Sequence, residues 1–196
     1  MRNDMPPKKI ITKEIILQKA FKLLRKEGFS AISARRLAKE LNTSTMPIYV
    51  YFKSMEDLKE ELLKMAHRLL LEYQKKNWTG SPFLDTGMGY IKFAKQEKML
   101  FRECFINRQT GTELVEQATS SEIIKIMKQE EYLKDFSDEE LSEILFRLWI
   151  FTFGFACLVT QGFIKDINEE MIKNILNENG EAIISHYYNL KKSRQN

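Results

Sequence analysis

Hydrophobic residues recur at steps of three and four along almost the whole chain, and that spacing limits the fold more than any other feature. Near the start, Ile11, Ile15, Ile16, Ala20, Leu23 and Leu24 fall on one helical face. Further on, Leu58, Leu62, Leu63, Ala66, Leu69, Leu70 and Tyr73 do the same. Each run forms a stripe that must be buried against another element. No segment alternates apolar and polar residues as a half-buried strand does. Eight Gly and four Pro are too few for the many tight turns of a sandwich or barrel. With 43% hydrophobic and 30% charged residues, a 196-residue chain is globular and long enough to bury a core. The expected fold is all-α.

Capping residues set the boundaries. Thr12 opens a helix over 13–27, and Gly28 closes it, because glycine takes a left-handed turn at little cost. Ser33 opens a second over 34–41, closed by Asn42. Ser44 is placed to cap a third over 45–52, with Pro47 inside its first turn, where a missing N–H breaks no intrahelical bond. Ser54 opens a long fourth helix to about 76, and Glu56 and Asp57 suit its positive end. Asn77 to Pro82 reads as a loop. Helices are expected over 83–95, 98–105 and 121–131, with a break at Thr110-Gly111-Thr112. Ser137 and Glu140 form a capping box for a helix to about 161, and a last helix spans about 169–190.

The stretch 34–52 narrows the reading. Crossing two helices steeply requires a small residue in the first, a left-handed-tolerant residue four positions later, and a branched apolar residue about six beyond that. Ala38, Asn42 and Ile48 fit these offsets. Both a DNA-binding helix-turn-helix and an ordinary helix hairpin satisfy them. Charge favours the first. Residues 1–53 hold 12 Lys/Arg and 4 Asp/Glu, a net of 12 − 4 = +8. The remainder holds 31 − 12 = 19 and 27 − 4 = 23, a net of −4. A basic head is the footprint of phosphate neutralisation.

Residues 10–58 resemble the N-terminal domain of TetR-type transcriptional repressors. The resemblance rests on Ile16-Leu17-Gln18-Lys19-Ala20 in the first helix, on Gly28-Phe29, and on Ser33, Arg35, Leu37 and Ala38 in the second. It continues through Asn42-Thr43-Ser44 at the turn, Ile48-Tyr49-Val50-Tyr51-Phe52 in the third helix and Lys53-Ser54 after it. Asn42 stands where that family usually has Gly, and Pro47 in the third helix is a departure that alters base contacts. The segment 148–156 is similar to a Trp…His-Gly segment of some TetR-type C-terminal domains, with Phe153 in place of His.

The resemblance implies a three-helix DNA-binding head and a larger helical body for ligand binding and dimerisation. The expected division is a basic tail at 1–9, a head at 10–54 and a body at 55–196. Candidate DNA contacts are Ser33, Arg35, Ser44, Thr45, Met46, Pro47, Tyr49, Tyr51 and Lys53. Thr45, Met46, Pro47 and Tyr51 would face the major groove, and Tyr49, Lys53 and Ser33 the phosphates. Core packing is the other reading of Tyr49, and the favoured one for Phe52. Pro6-Pro7-Lys8-Lys9 reads as a solvated tail or a minor-groove arm.

Within the body, a hydrophobic small-molecule pocket is implied between the fourth and later helices. Its candidates are Phe93, Phe105, Trp149 and Phe153, with Arg102, Asn107 and Gln161 to orient a ligand. The last two long helices would form a four-helix bundle with a second copy. Gly154, Leu158, Ile175, Gly180, Ile183 and Tyr187 are the candidates for that seam, a local kink being the alternative for the two glycines. His67 and His186 read as surface or packing residues, and Cys104 and Cys157 as core thiols.

No GxSxG, GxGxxG, P-loop, HExxH or CxxC motif occurs, so neither an enzyme nor a metal or cofactor site is expected. Residues 1–9 contain no apolar segment of a secretory signal, and the longest apolar run, 148–159, is short for a bilayer. The expected protein is cytoplasmic: a homodimeric repressor on a palindromic double-stranded operator, released by a small hydrophobic effector. The alternative is a helical carrier of lipids or small molecules whose helix-turn-helix no longer reads DNA.

Overall fold

A computed structural model of the protein describes residues 10–107 and 113–195. The tail 1–9, with its reading as an arm, and the break at Thr110-Gly111-Thr112 lie outside these residues. The described residues contain nine α-helices and no strand. The chain divides into two compact units, Met1–Leu63 and Lys64–Asn196.

The first unit is built from α1 (Lys13–Glu27), a 3-10 turn (Phe29–Ala31), α2 (Ala34–Leu41), α3 (Met46–Tyr51) and the first turns of α4 (Met55–Gln74). Thr12 accepts a hydrogen bond from the Ile15 N–H, and Gly28 ends α1 at φ 81°. One stripe from each helix is buried here: Ile16, Ala20 and Leu24, then Leu37, Ile48 and Phe52, then Leu58 and Leu62. The third helix starts later than its sequence suggests. Ser44 does not cap it; Thr45 does, without a side-chain bond, and Pro47 takes the second helical position. Ser54 caps α4 by accepting from the Asp57 N–H, while Asp57 Oδ2 accepts from the Lys53 N–H.

The second unit packs α5 (Pro82–Gln96) against α7 (Glu113–Met127), α8 (Asp138–Thr160) and α9 (Glu169–Gln195). The fully formed capping box at Ser137 and Glu140 starts α8. Two boundaries differ from expectation. The short α6 (Lys98–Phe101) runs into a π-type turn at Arg102–Ile106, closed by the Asn107 N–H on the Arg102 carbonyl at 2.8 Å. Helix α7 starts well before 121 because Ser121 does not break it: its hydroxyl donates to the Gln117 carbonyl one turn back.

Gly89 has no room for a side chain. A Cβ built there would lie 2.2 Å from the Tyr73 carbonyl oxygen, so α5 crosses the end of α4 backbone to backbone. Lys92, one turn on, is buried, ion-paired with Glu169 at the start of α9, and 4.1 Å from the Trp78 ring. Cys104 is buried, and burial, with Glu103 beside it, pushes its thiol up to about 12.

Candidate functional site

Two places in the chain gather chemically useful groups, one in each unit. In the first, Ser33 caps α2 by accepting from the Arg36 N–H at 3.2 Å. Asn42 closes α2 at φ 53° and ψ 50°, its N–H bonding the Ala38 and Lys39 carbonyls. Ala38 and Ile48 are buried, so Ala38, Asn42 and Ile48 take the inner, turn and inner positions that a helix-turn-helix requires.

Helix α3 then has two faces. Ile48 and the following Phe52 point inward, which settles Phe52 as core. Met46 (71% exposed), Tyr49, Val50 (69%) and Tyr51 point outward. Ser44 is exposed at the turn, and Thr45 and Pro47 are half-buried. Val50 was hidden in an apolar run that reads as core. Its position supplies the missing signal: two residues beyond buried Ile48 lies about 200° around a helix, on the opposite face.

The basic residues of the head are not equivalent. Arg36 is held by Glu40, at 3.1 Å, and by Glu27, at 3.4 Å. Lys19 lies 3.6 Å from Glu40, and the Arg36 hydrogen bond holds the Glu40 carboxyl below its ordinary range. Arg35, Lys39 and Lys53 are exposed and pair with no acidic side chain among the described residues. They flank the outward face of α3 in sequence and remain available to an anion.

The second place is a cavity of about 1120 Å³ within the second unit. Helix α4 supplies His67, Leu70 and Gln74, α5 supplies Tyr90, and α7, α8 and α9 close the walls. Phe105, Trp149 and Phe153 line it. Four other candidates do not. Phe93 is fully buried behind Phe105, with ring centroids 5.6 Å apart. Arg102 and Asn107 are exposed; Arg102 donates to Met99 Sδ and Asn107 to Glu103. Gln161 is exposed at the end of α8. Arg102 opens the π-type turn and Asn107 follows it, both exposed. Two polar wall groups of α4 missed in the sequence are Gln74 and His67, both buried and set at the step of seven that keeps them on one face.

Helix α8 carries apolar residues on two sides. Leu141, Ile144, Phe155, Ala156 and Val159 are buried. Phe146, Ile150, Gly154 and Leu158, at steps of four, form an exposed stripe. A Cβ at Gly154 would meet nothing within 4 Å. Ile175 and Ile183 on α9 are half-buried. Gly180 and Tyr187 face inward instead. Gly180 lines the cavity, and the buried Tyr187 hydroxyl donates to Glu143 and accepts from Arg147 Nε at 2.7 Å. The apolar run 148–159 lies inside α8, whose bounds are those the capping box predicts. Helix α8 has 23 residues and a window of mean hydropathy 1.6, long and apolar enough to cross a bilayer by length and composition, with 22% of that window buried. Among the described residues no group of three His, Cys, Asp or Glu side chains is placed to hold a metal ion.

An outward α3 held over α2 by Ala38, Asn42 and Ile48 defines a helix-turn-helix protein. Residues 16–62 match the sequence model of the bacterial regulatory proteins of the tetR family. That match is confined to the helix-turn-helix region, and the all-helical fold is similar to that of solved TetR-family regulators. Solved structures share this fold over most of the chain. A protein of unknown function from Rhodococcus sp. RHA1 is 18% identical with a TM-score of 0.70, covering 93% of this chain and 98% of its own. BioQ, bound to its natural double-stranded DNA operator, is 15% identical with a TM-score of 0.60, covering 90% and 100%. The flavonoid-responsive regulator FrrA is 18% identical with a TM-score of 0.60, covering 88% and 95%. No curated protein matches the chain.

Proposed function

We propose that the protein is a cytoplasmic, homodimeric transcriptional repressor that binds a palindromic operator and leaves it when a hydrophobic small molecule fills the body cavity. The observation that carries this reading is the outward face of α3, Met46, Tyr49, Val50 and Tyr51, with Arg35, Lys39 and Lys53 exposed beside it in the chain. Four large apolar or aromatic side chains facing solvent on one short helix have no folding role, and free cations beside them suit phosphates. A dimer would place two such helices in successive major grooves, about one helical turn apart. Helix α4 supplies residues to both units, Leu58 and Leu62 to the head core and His67, Leu70 and Gln74 to the cavity wall. A ligand that prefers one position of α4 thereby shifts the population of DNA-competent dimers, and DNA must weaken the ligand by the same factor. BioQ with its operator and FrrA with its flavonoid response support both halves of this reading.

The test is binding to DNA flanking the protein's own gene, measured by fluorescence anisotropy across a salt series. Arg35→Ala combined with Lys53→Ala is expected to weaken binding by about tenfold or more and to flatten the log-affinity against log-salt slope by about 1 per lost phosphate contact. The same variant keeps its small-molecule affinity. Binding equal to that of random DNA, in the unaltered protein, defeats the regulator reading and leaves a ligand carrier.

Base readout follows from the chemistry of α3. Its exposed face holds no Arg, Asn or Gln for bidentate pairing, but Met46 and Val50 present methyl groups suited to thymine methyls. Replacing half-site thymines by deoxyuridine removes only those methyls. Affinity is expected to fall by about 0.8 kcal/mol for each contacted methyl. An operator that tolerates complete replacement shows that recognition works through DNA shape instead.

A further inference from the structure

We infer that the ligand of the body cavity is an uncharged, largely aromatic molecule bearing a hydroxyl or N–H group, and that Gln74 accepts the hydrogen bond from that group. This rests on the cavity being the regulatory site proposed above.

Charge comes first. Among the described residues no lysine or arginine lines the cavity. The one formally charged wall residue, Glu181, is exposed and already accepts from Asn177 Nδ2 at 2.6 Å. A carboxylate or phosphate entering here would lose its water and gain no counter-charge. A cation would find an exposed carboxylate that water screens and aromatic faces whose attraction falls short of the hydration it gives up.

Shape comes next. Phe146 and Trp149 stack with centroids 6.1 Å apart and planes 23° from parallel. Trp149 and Phe153 continue the row at 5.4 Å and 28°. Three tilted faces therefore run along α8 where it borders the cavity, a surface for a flat apolar molecule.

The wall's own hydrogen bonds narrow the polar contact to two buried atoms of α4, His67 Nε2 and Gln74 Oε1, of which the amide oxygen can only accept. Thr86 donates to the Phe83 carbonyl, Thr152 to Leu148, Ser142 to Asp138 and Ser81 to Glu130, so these wall hydroxyls are committed. Gln74 differs. It is 8% exposed, it lines the cavity, and its Oε1 has no hydrogen-bond partner. A buried carbonyl oxygen left unpaired is unfavourable, and a donor on the ligand is its complement.

Four probes on one rigid ring system separate the classes: pyrenemethanol, methylpyrene, pyrenecarboxylate and pyrenylmethylammonium. Binding to the full-length protein is followed by energy transfer from tryptophan, since Trp149 lies on the wall. Pyrenemethanol is expected to bind about tenfold tighter than methylpyrene and tighter still than either charged probe. In Gln74→Leu, and in Gln74→Met as a second variant, the advantage over methylpyrene shrinks to about twofold or less while methylpyrene affinity holds. Thermal melts confirm that the variants fold. Tightest binding by the carboxylate or the ammonium overturns the ligand class alone. An advantage of pyrenemethanol that survives both variants overturns the assignment of Gln74. No binding by any probe removes the cavity as a binding site, and the regulatory reading with it.

Discussion

Gly89→Ala is expected to lower the melting temperature by about 4–8 °C, although alanine is the better helix former. The two effects oppose each other. In mid-helix, alanine gains about 1 kcal/mol over glycine. At Gly89 the added methyl would lie 2.2 Å from the Tyr73 carbonyl oxygen, 2.4 Å from its carbon and 2.6 Å from Gln74 Cα. All three are backbone atoms of α4, so no rotamer change relieves the overlap. Helix α5 must move, and with it the packing of Met88, Ile91 and Ala94, all buried. Forced shifts of this kind cost about 3 kcal/mol, which outweighs the propensity gain. Circular dichroism melts check it, with Gly154→Ala as the comparison. A Cβ at Gly154 meets nothing within 4 Å, so there the propensity term stands alone and the folded chain is expected to be no less stable. Equal melting temperatures for Gly89→Ala and the unaltered protein would mean that α5 does not cross α4 as closely as described.

That crossing shows where the sequence was readable and where it was not. Periodicity and caps are local, and they placed α1, α2 and the capping box of α8 with the boundaries observed. The helix-turn-helix was legible because Ala38, Asn42 and Ile48 each answer a local geometric need. Gly89 was not, because its partner is a carbonyl sixteen residues away in the chain, and glycine in a helix does not say what it meets. The cavity wall was half legible for a related reason. Aromatic residues on α8 announced an apolar surface, but which ones line a space depends on the register of helices far apart in sequence. Arg102 and Asn107 looked suited to orient a ligand, but both are exposed, at the start and just past the end of the π-type turn. Gln74 stands at the end of a helix rich in polar residues, and nothing in its sequence context marks it. Only the packing around it shows a buried amide. Val50 could have been found from spacing alone, since it stands opposite Ile48 on a six-residue helix.

In the dimeric regulator proposed above, Ile150→Glu is expected to convert dimer to monomer and to weaken operator binding by about 100-fold. Ile150 is 53% exposed in the single chain, at the centre of the stripe Phe146, Ile150, Gly154 and Leu158. Substitution at so exposed a site leaves the fold of one chain within about 0.5 kcal/mol of its original stability. A symmetric dimer that buries the stripe meets a different cost. Two-fold symmetry places the new carboxylate on both copies, facing the same apolar seam without a counter-charge. Each buried, unpaired carboxylate costs several kcal/mol, more than a small helical interface retains. Operator affinity follows because two linked heads bind far more tightly than one, by a factor of about 10² or more. Light scattering on the purified variant reads the mass, and anisotropy on the operator reads the affinity. A dimer that persists shows that the α8 stripe is not the seam. The hydropathy of α8 leaves a bilayer as the other candidate cover, and flotation of the unaltered protein with lipid vesicles distinguishes it. Loss of vesicle binding in Ile150→Glu, with the mass unchanged, would assign the stripe to a membrane surface and detach it from DNA recognition.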